Sequence, residues 1–157
     1  METKSPALKS YINDVPDFPK KGIIFKDMTS LLESPEGVEL CLEALLSPLK
    51  NKQIDKVVAI EARGFFFGML LARALKVPFI PVRKPGKLPR KVLRQSYDLE
   101  YGSDVLEIHE DAIKSGDKIV IHDDVLATGG TAQAVCEMVK SLGGQIVQCN
   151  FIMQLDF

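Results

Sequence analysis

Ile119-Val120-Ile121-His122-Asp123-Asp124-Val125-Leu126-Ala127-Thr128-Gly129-Gly130-Thr131 runs from an apolar strand through two adjacent carboxylates into a turn of small residues. Neighbouring aspartates at the carboxyl end of a strand repel each other, a cost that bound hydroxyls or a cation would offset. The turn suits an anion. Ala127, Gly129 and Gly130 have little or no side chain, so backbone N–H groups can approach a phosphate, and the helix opened by Thr131 adds its positive end. One ligand with a phosphate and vicinal hydroxyls satisfies both halves. An Asp capping the helix above a plain turn would explain a lone Gly-Gly, but not the whole pattern. The spacing is neither that of a P-loop, which needs Gly-Lys-Ser/Thr, nor the G-x-G-x-x-G of dinucleotide folds.

Working outward, helices and strands alternate as in a mainly parallel twisted sheet flanked by helices, an α/β fold. Helices are expected near Ser5 to Asn13 and from Pro35 to Lys50, where Val38, Leu42, Leu45, Leu46 and Leu49 recur at helical spacing. Lys56 to Ile60 reads as a buried strand, Phe65 to Lys76 as a helix and Val77 to Val82 as a strand, one βαβ unit. A second follows with Lys118 to His122, Thr131 to Leu142 stopped by Gly143-Gly144, and Gln145 to Met153, preceded by a short strand at Val105 to His109. Ligands of such sheets bind beyond the carboxyl ends of strands, where both Glu61 to Gly64 and Asp123 to Thr131 fall.

In the first of those loops Arg63 is expected to reach the same crevice, its fork of donors suited to a diphosphate, with Gly64 permitting a tight backbone. Phe65-Phe66-Phe67 reads as core packing. Between Val82 and Val105 the charge divides sharply. Arg83, Lys84, Lys87, Arg90, Lys91 and Arg94 are bases with no acid among them, and Pro85, Gly86 and Pro89 oppose regular structure. The expectation is a mobile basic lid that closes over the anion sites, excludes water and brings Lys87 to a leaving group.

Composition sets the bounds. At 157 residues and 46% hydrophobic the chain is read as one domain, 1–157. A formal charge of −1 gives no overall bias toward nucleic acid or membrane. The three cysteines, Cys41, Cys136 and Cys149, sit among apolar neighbours and suit small core residues in a reducing compartment. With no signal core and no run near the roughly 20 apolar residues of a membrane span, a cytoplasmic location is expected.

Five stretches carry a resemblance. Phe18-Pro19-Lys20-Lys21-Gly22-Ile23-Ile24-Phe25-Lys26-Asp27, Glu61-Ala62-Arg63-Gly64-Phe65, Arg83-Lys84-Pro85-Gly86-Lys87-Leu88-Pro89, Ser96-Tyr97-Asp98-Leu99-Glu100-Tyr101-Gly102 and Asp123 to Thr131 occur together and in order. Together they resemble the adenine phosphoribosyltransferase family, of the type I phosphoribosyltransferases, over nearly the whole chain. The resemblance implies transfer of the phosphoribosyl group of phosphoribosyl pyrophosphate to adenine, giving AMP and pyrophosphate, with Mg²⁺ carried by the donor and no metal ligand supplied directly by the protein. It implies that Asp123 and Asp124 hold the ribose hydroxyls, that Ala127, Thr128, Gly129, Gly130 and Thr131 hold the 5′-phosphate, and that Arg63 and Lys87 take the pyrophosphate. Ile24, Phe25 and Lys26 become a hood over adenine, Glu100 handles the proton on the base, and Arg83, Lys84 and Tyr101 belong to the lid. It also implies a homodimer.

Two departures stand out. Lys26 stands where many relatives carry Arg, and lacks that bidentate reach. The chain also stops at Phe157, where relatives continue through a further helix and strand. A phosphoribosyl-pyrophosphate-sensing regulator is the alternative from another class, but such proteins usually need a DNA-binding module, and none fits before Asp17. A phosphoribosyltransferase for xanthine, hypoxanthine or orotate is the other alternative, opposed by Phe25 and by Tyr97 to Gly102.

Overall fold

The computed structural model describes residues 8–98 and 102–155, in two units, residues 1–50 and 51–157. In the first, β1 (Asn13–Pro16) and β2 (Ile24–Asp27) form an antiparallel hairpin with Val15 opposite Phe25. Leu8 and Lys9 are helical, but the helix expected to reach Asn13 has ended, because Asn13 already pairs with Asp27. A short helix α1 (Thr29–Leu32) follows; the Thr29 N–H and hydroxyl both donate to Asp27 Oδ1, and these bonds hold that carboxyl below its ordinary range. Helix α2 (Pro35–Leu46) starts as its sequence dictates: Ser34 accepts the Gly37 N–H at 3.1 Å, and Pro35 takes the first turn, where no N–H is needed. Gly37, Cys41 and Leu45 form its buried face. The helix was expected to run on to Lys50. Pro48 has no N–H for the α ladder, and Ser47–Leu49 tightens into a 3₁₀ turn.

The second unit is built on a parallel sheet. β3 (Lys56–Ile60) leads through α3 (Gly64–Leu75) to β4 (Phe79–Val82); after an antiparallel hairpin, β5 (Val92–Asp98) and β6 (Ser103–His109), β7 (Lys118–Leu126) leads through α4 (Gly130–Ser141) to β8 (Gln145–Gln154). The sheet order is β4-β3-β7-β8, every neighbouring pair parallel. The chain therefore departs from the central pair β3 and β7 in opposite directions. Val57, Val58, Ala59, Ile119, Val120 and Ile121 are all fully buried, as expected of strands covered on both faces. Val58, Ile60, Ile119 and Ile121 share one core with Val135, Met138 and Val139 of α4 and with Leu106 and Ile108 of β6. On the other face α3 lies so close that a Cβ at Gly68 would come within 2.5 Å of Ala59 Cβ.

Each βαβ unit matches its sequence reading to within a few residues. The Gly143-Gly144 stop works as a paired C-cap, Gly143 donating to Lys140 O and Gly144 to Val139 O with Gly143 at φ +86°. Three expectations need correction. Strand β7 does not end before the acids but carries them inside its ladder to Leu126. The basic stretch is irregular only over residues 83–91, since Val92 to Asp98 pairs residue by residue with Ser103 to His109. Of the three phenylalanines, Phe67 is buried and Phe65 meets Phe79 edge-on, but Phe66 is 50% exposed, because consecutive residues on a helix cannot all face inward. The fold also brings Cys136 and Cys149 together, their sulfurs 3.6 Å apart as free thiols.

Gly68→Ala tests the α3–sheet contact. Alanine improves helix propensity by about 1 kcal/mol, but its methyl collides with a rigid neighbour, and overpacking costs about 1–3 kcal/mol. We expect a lower urea midpoint with an unchanged slope; an equal or higher midpoint would show that the layers are not in contact as described.

Candidate functional site

Because β3 and β7 are parallel neighbours, the loops that leave their carboxyl ends open at the same edge of the sheet. After β3 comes Glu61-Ala62-Arg63, with a cis peptide between Glu61 and Ala62, and α3 starts at Gly64. Gly64 lies directly against the acid pair: a Cβ there would be 2.8 Å from Asp123 Oδ1 and 3.2 Å from Asp123 Cα. The absent side chain, expected to make room for an anion, makes room for a carboxylate.

Asp124 is buried, and Arg63 Nε lies 2.6 Å from its Oδ2 without hydrogen-bond alignment, so the contact is one of charge and the oxygen keeps its acceptor capacity. The expected pairing of Arg63 with a ligand thus begins, in the free protein, as a pairing with the acid beside it. Asp123 Oδ1 accepts the Asp124 N–H at 2.9 Å. Burial, with repulsion from Asp124 added, pushes the Asp123 carboxyl up to about 7, against the pull of that N–H and of Arg63. Behind the pair His122 is fully buried. Asn150 Oδ1 lies 2.7 Å from its Nδ1; since that oxygen only accepts, Nδ1 carries the proton and Nε2 is left unpartnered. Burial lowers its pKa, so the ring is neutral.

A cleft of about 390 Å³ is lined by Ile60, Glu61, Ala62, Arg63, Lys84, Tyr97, Leu106, Asp123, Asp124 and Thr131. It gathers Arg63, both aspartates, Thr131 and Lys84 from the expected set. Ala127, Thr128 and Gly129 form the turn, and Gly130 and Thr131 open α4; Gly129, at φ +87°, is the N-cap, and no side chain caps that helix. Its first N–H groups are open to an anion, and the alternative of an aspartate cap is not what the chain adopts. Arg83 is drawn to Glu61 at 2.8 Å, Lys84 to Asp104 and the Tyr97 hydroxyl, Arg90 to Asp111 at 3.2 Å and Arg94 to Glu107 at 2.6 Å. Burial pulls the Lys84 pKa down, but Asp104 and Tyr97 outweigh it and hold the ammonium above its ordinary range. The stretch is therefore not a run of free bases. Lys87 is exposed, does not line the cleft and, among the described residues, has no ion-pair partner.

In the first unit Ile24 is 60% exposed, Phe25 meets Phe18 edge-on at 5.2 Å, and Lys26 Nζ lies 2.5 Å from Asp14 Oδ1. Glu100 and Tyr101 lie outside the described residues. Among the described residues no group of three or more His, Cys, Asp or Glu is placed to hold a metal, and no helix is long and apolar enough to cross a membrane. Sequence reasoning had Glu61 in the strand-end loop and Tyr97 beside the basic stretch, but missed Glu107 as part of this region. The one available signal was Glu107, a carboxylate set between Leu106 and Ile108 in an apolar run.

Residues 28–154 match the phosphoribosyl transferase domain family. An adenine phosphoribosyltransferase of Flavobacterium johnsoniae is 62% identical over 150 residues, 96% of this chain and 88% of that protein. One of Escherichia coli O157:H7 is 53% identical over 148 residues, 94% of this chain and 81% of that protein. Among solved structures, adenine phosphoribosyltransferase of Saccharomyces cerevisiae, complexed with an imino-altritol bisphosphate and adenine, superposes with a TM-score of 0.92 at 40% identity, covering 100% of this chain and 92% of that one. That of Rhodothermus marinus gives 0.89 at 53% identity, covering 96% and 85%. With two loops meeting at the carboxyl edge of β3 and β7, an acid pair of half-buried Asp123 and buried Asp124 beside an uncapped helix, and likenesses that run almost end to end, the chain belongs to the adenine phosphoribosyltransferase family.

Proposed function

We propose that this chain transfers the phosphoribosyl group of phosphoribosyl pyrophosphate to adenine, giving AMP and pyrophosphate in purine salvage. The observation that carries the reading is the juxtaposition of Asp123 and Asp124 with Arg63 on one side and the open start of α4 on the other. Ribose hydroxyls take the acids, the 5′-phosphate takes the N–H groups of residues 127–131, and Arg63 turns from Asp124 to the pyrophosphate, where Lys87 joins it. Ile24, Phe25 and Lys26 receive adenine. The base nitrogen attacks the anomeric carbon as its bond to pyrophosphate breaks, and Glu100 accepts the proton that the base sheds. The acid pair stabilises positive charge developing on the sugar. Mg²⁺ would come with the donor, whose diphosphate oxygens would hold it, since two adjacent carboxylates are too few ligands to cage a metal alone. On this reading residues 1–157 act as one phosphoribosyltransferase domain, as a cytoplasmic homodimer with Arg83, Lys84 and Tyr101 in its lid.

The decisive experiment mixes the chain with phosphoribosyl pyrophosphate, Mg²⁺ and each of adenine, hypoxanthine, guanine, xanthine and orotate, and follows mononucleotide by chromatography. AMP alone is expected; donor binding without any product would instead indicate a sensor. Asp124→Asn should lower kcat/KM by about a hundredfold or more, as when one electrostatic contact to a transition state is lost. An effect under threefold would remove the acid pair from the chemistry.

Asp123→Asn should gain stability as it loses activity. The folded pKa of Asp123, about 7, lies above the unfolded value of about 3.9. Between those values the native state binds more protons than the unfolded chain, so its contribution to stability is present at low pH and is lost as pH rises through about 7. Thermal unfolding should therefore show the Tm advantage of the variant growing from pH 4 to pH 8; a pH-independent difference would mean that Asp123 titrates normally.

A further inference from the structure

Glu107 sits between two core residues of β6 and is 1% exposed, an environment in which a carboxylate must be fully partnered. Its Oε1 accepts from Arg94 Nε at 2.6 Å, and its Oε2 accepts the backbone N–H of Gly86 at 3.0 Å. Its own backbone is bridged to Arg83 in both directions, Arg83 N–H to Glu107 O at 2.9 Å and Glu107 N–H to Arg83 O at 2.7 Å. One buried residue thus grips both ends of Arg83-Lys84-Pro85-Gly86, the segment that runs straight into Lys87. The Arg94 side chain is 67% exposed, so that ion pair is screened and replaceable. The bond to Gly86, at φ +78° in a turn with Pro85 before it, is the contact that fixes the course of the backbone.

We propose that Glu107 is a positioning residue for donor capture: by holding the Gly86 N–H it sets the place from which Lys87 reaches the leaving pyrophosphate. The inference rests on the reading of Lys87 given above. Glu107 lies outside the cleft lining, so its effect passes through the loop. The chemistry ranks its replacements. Gln keeps an oxygen for Gly86 and turns its amide toward Arg94, which is free to swing into solvent. Leu fills the space with no acceptor, and Asp falls one methylene short. A shift of about 1 Å in a positioned group costs up to about a hundredfold.

A double-mutant cycle decides it, with affinity for phosphoribosyl pyrophosphate and Mg²⁺ read by calorimetry and kcat/KM for the donor read from AMP formation. Glu107→Leu is expected to weaken both by about tenfold or more and Glu107→Gln by less than about threefold. Added to Lys87→Ala, Glu107→Leu should cost less than a further factor of about two, because the group it positions is already gone. Should Glu107→Leu fail to fold, Glu107→Asp replaces it in the same cycle. Losses that multiply in the double variant, or a Glu107→Leu protein with normal donor affinity, would overturn the inference while leaving the role of Lys87 intact. A Lys87→Ala protein with normal affinity and rate would overturn both. A chain that binds donor but makes no AMP would overturn the transfer reading alone, since the cycle on donor affinity still decides Glu107.

Discussion

In the ladder joining β3 to β7, Val57 lies opposite Val120, Val58 opposite Ile121 and Ala59 opposite His122. A one-position slip of β3 would replace Ala59 by a larger side chain at the point where Gly68 of α3 lies against it, so close packing holds the register. From this pair of strands the chain winds outward both ways, to β4 and to β8. Neither connecting helix crosses the gap between the two strand ends, and a crevice is left where two loops must face each other. The site is thus a by-product of sheet order: whatever follows Ile60 and whatever follows His122 is brought into apposition. Glycine at position 64 lets that apposition close to contact.

Around the crevice the charges follow one arrangement. Asp124, Glu61 and Glu107 lie inside, and each meets an arginine whose side chain is more exposed: Arg63 at 54%, Arg83 at 35% and Arg94 at 67%. Such pairs add little to stability, since one partner is screened by water and the other has lost its hydration. Their use is orientation. An acid fixed by the sheet or by its neighbouring strand gives a long, flexible base a set partner, and of the three arginines Arg63 is the one that lines the cleft.

The parts of this architecture that were legible in the sequence are those with one dominant physical signal. Lys56 to Ile60 and Lys118 to His122 read as strands because unbroken branched apolar runs have no other soluble use, and Gly143-Gly144 ended a helix through its backbone freedom. That the acid pair and Thr131 would stand together at a cleft was legible, because they follow a strand and so fall at the carboxyl edge of the sheet. Of the hairpin, Val105 to His109 was legible as a strand but its partner Val92 to Asp98 was not. The two strands set Arg94 opposite Glu107 and Tyr97 opposite Asp104, and such cross-strand pairing leaves no trace in a one-dimensional pattern of polar residues. The same holds for His122 with Asn150 and for Cys136 with Cys149, pairs 28 and 13 residues apart that the β7–β8 ladder and the packing of α4 on β8 make neighbours. Phe66 shows the opposite error, hydrophobicity taken as burial without asking which way the helix turns.

A carboxyl that titrates at about 7 also keeps a proton account with its surroundings. Near neutrality a substantial fraction of molecules carries the proton on Asp123, whereas sugar hydroxyls are best accepted by the ionised form. A capture that selects the ionised form expels a fractional proton into the medium. The heat measured for that capture will include the ionisation enthalpy of whichever buffer takes the proton up, and its apparent affinity will tighten as the solution is made more alkaline.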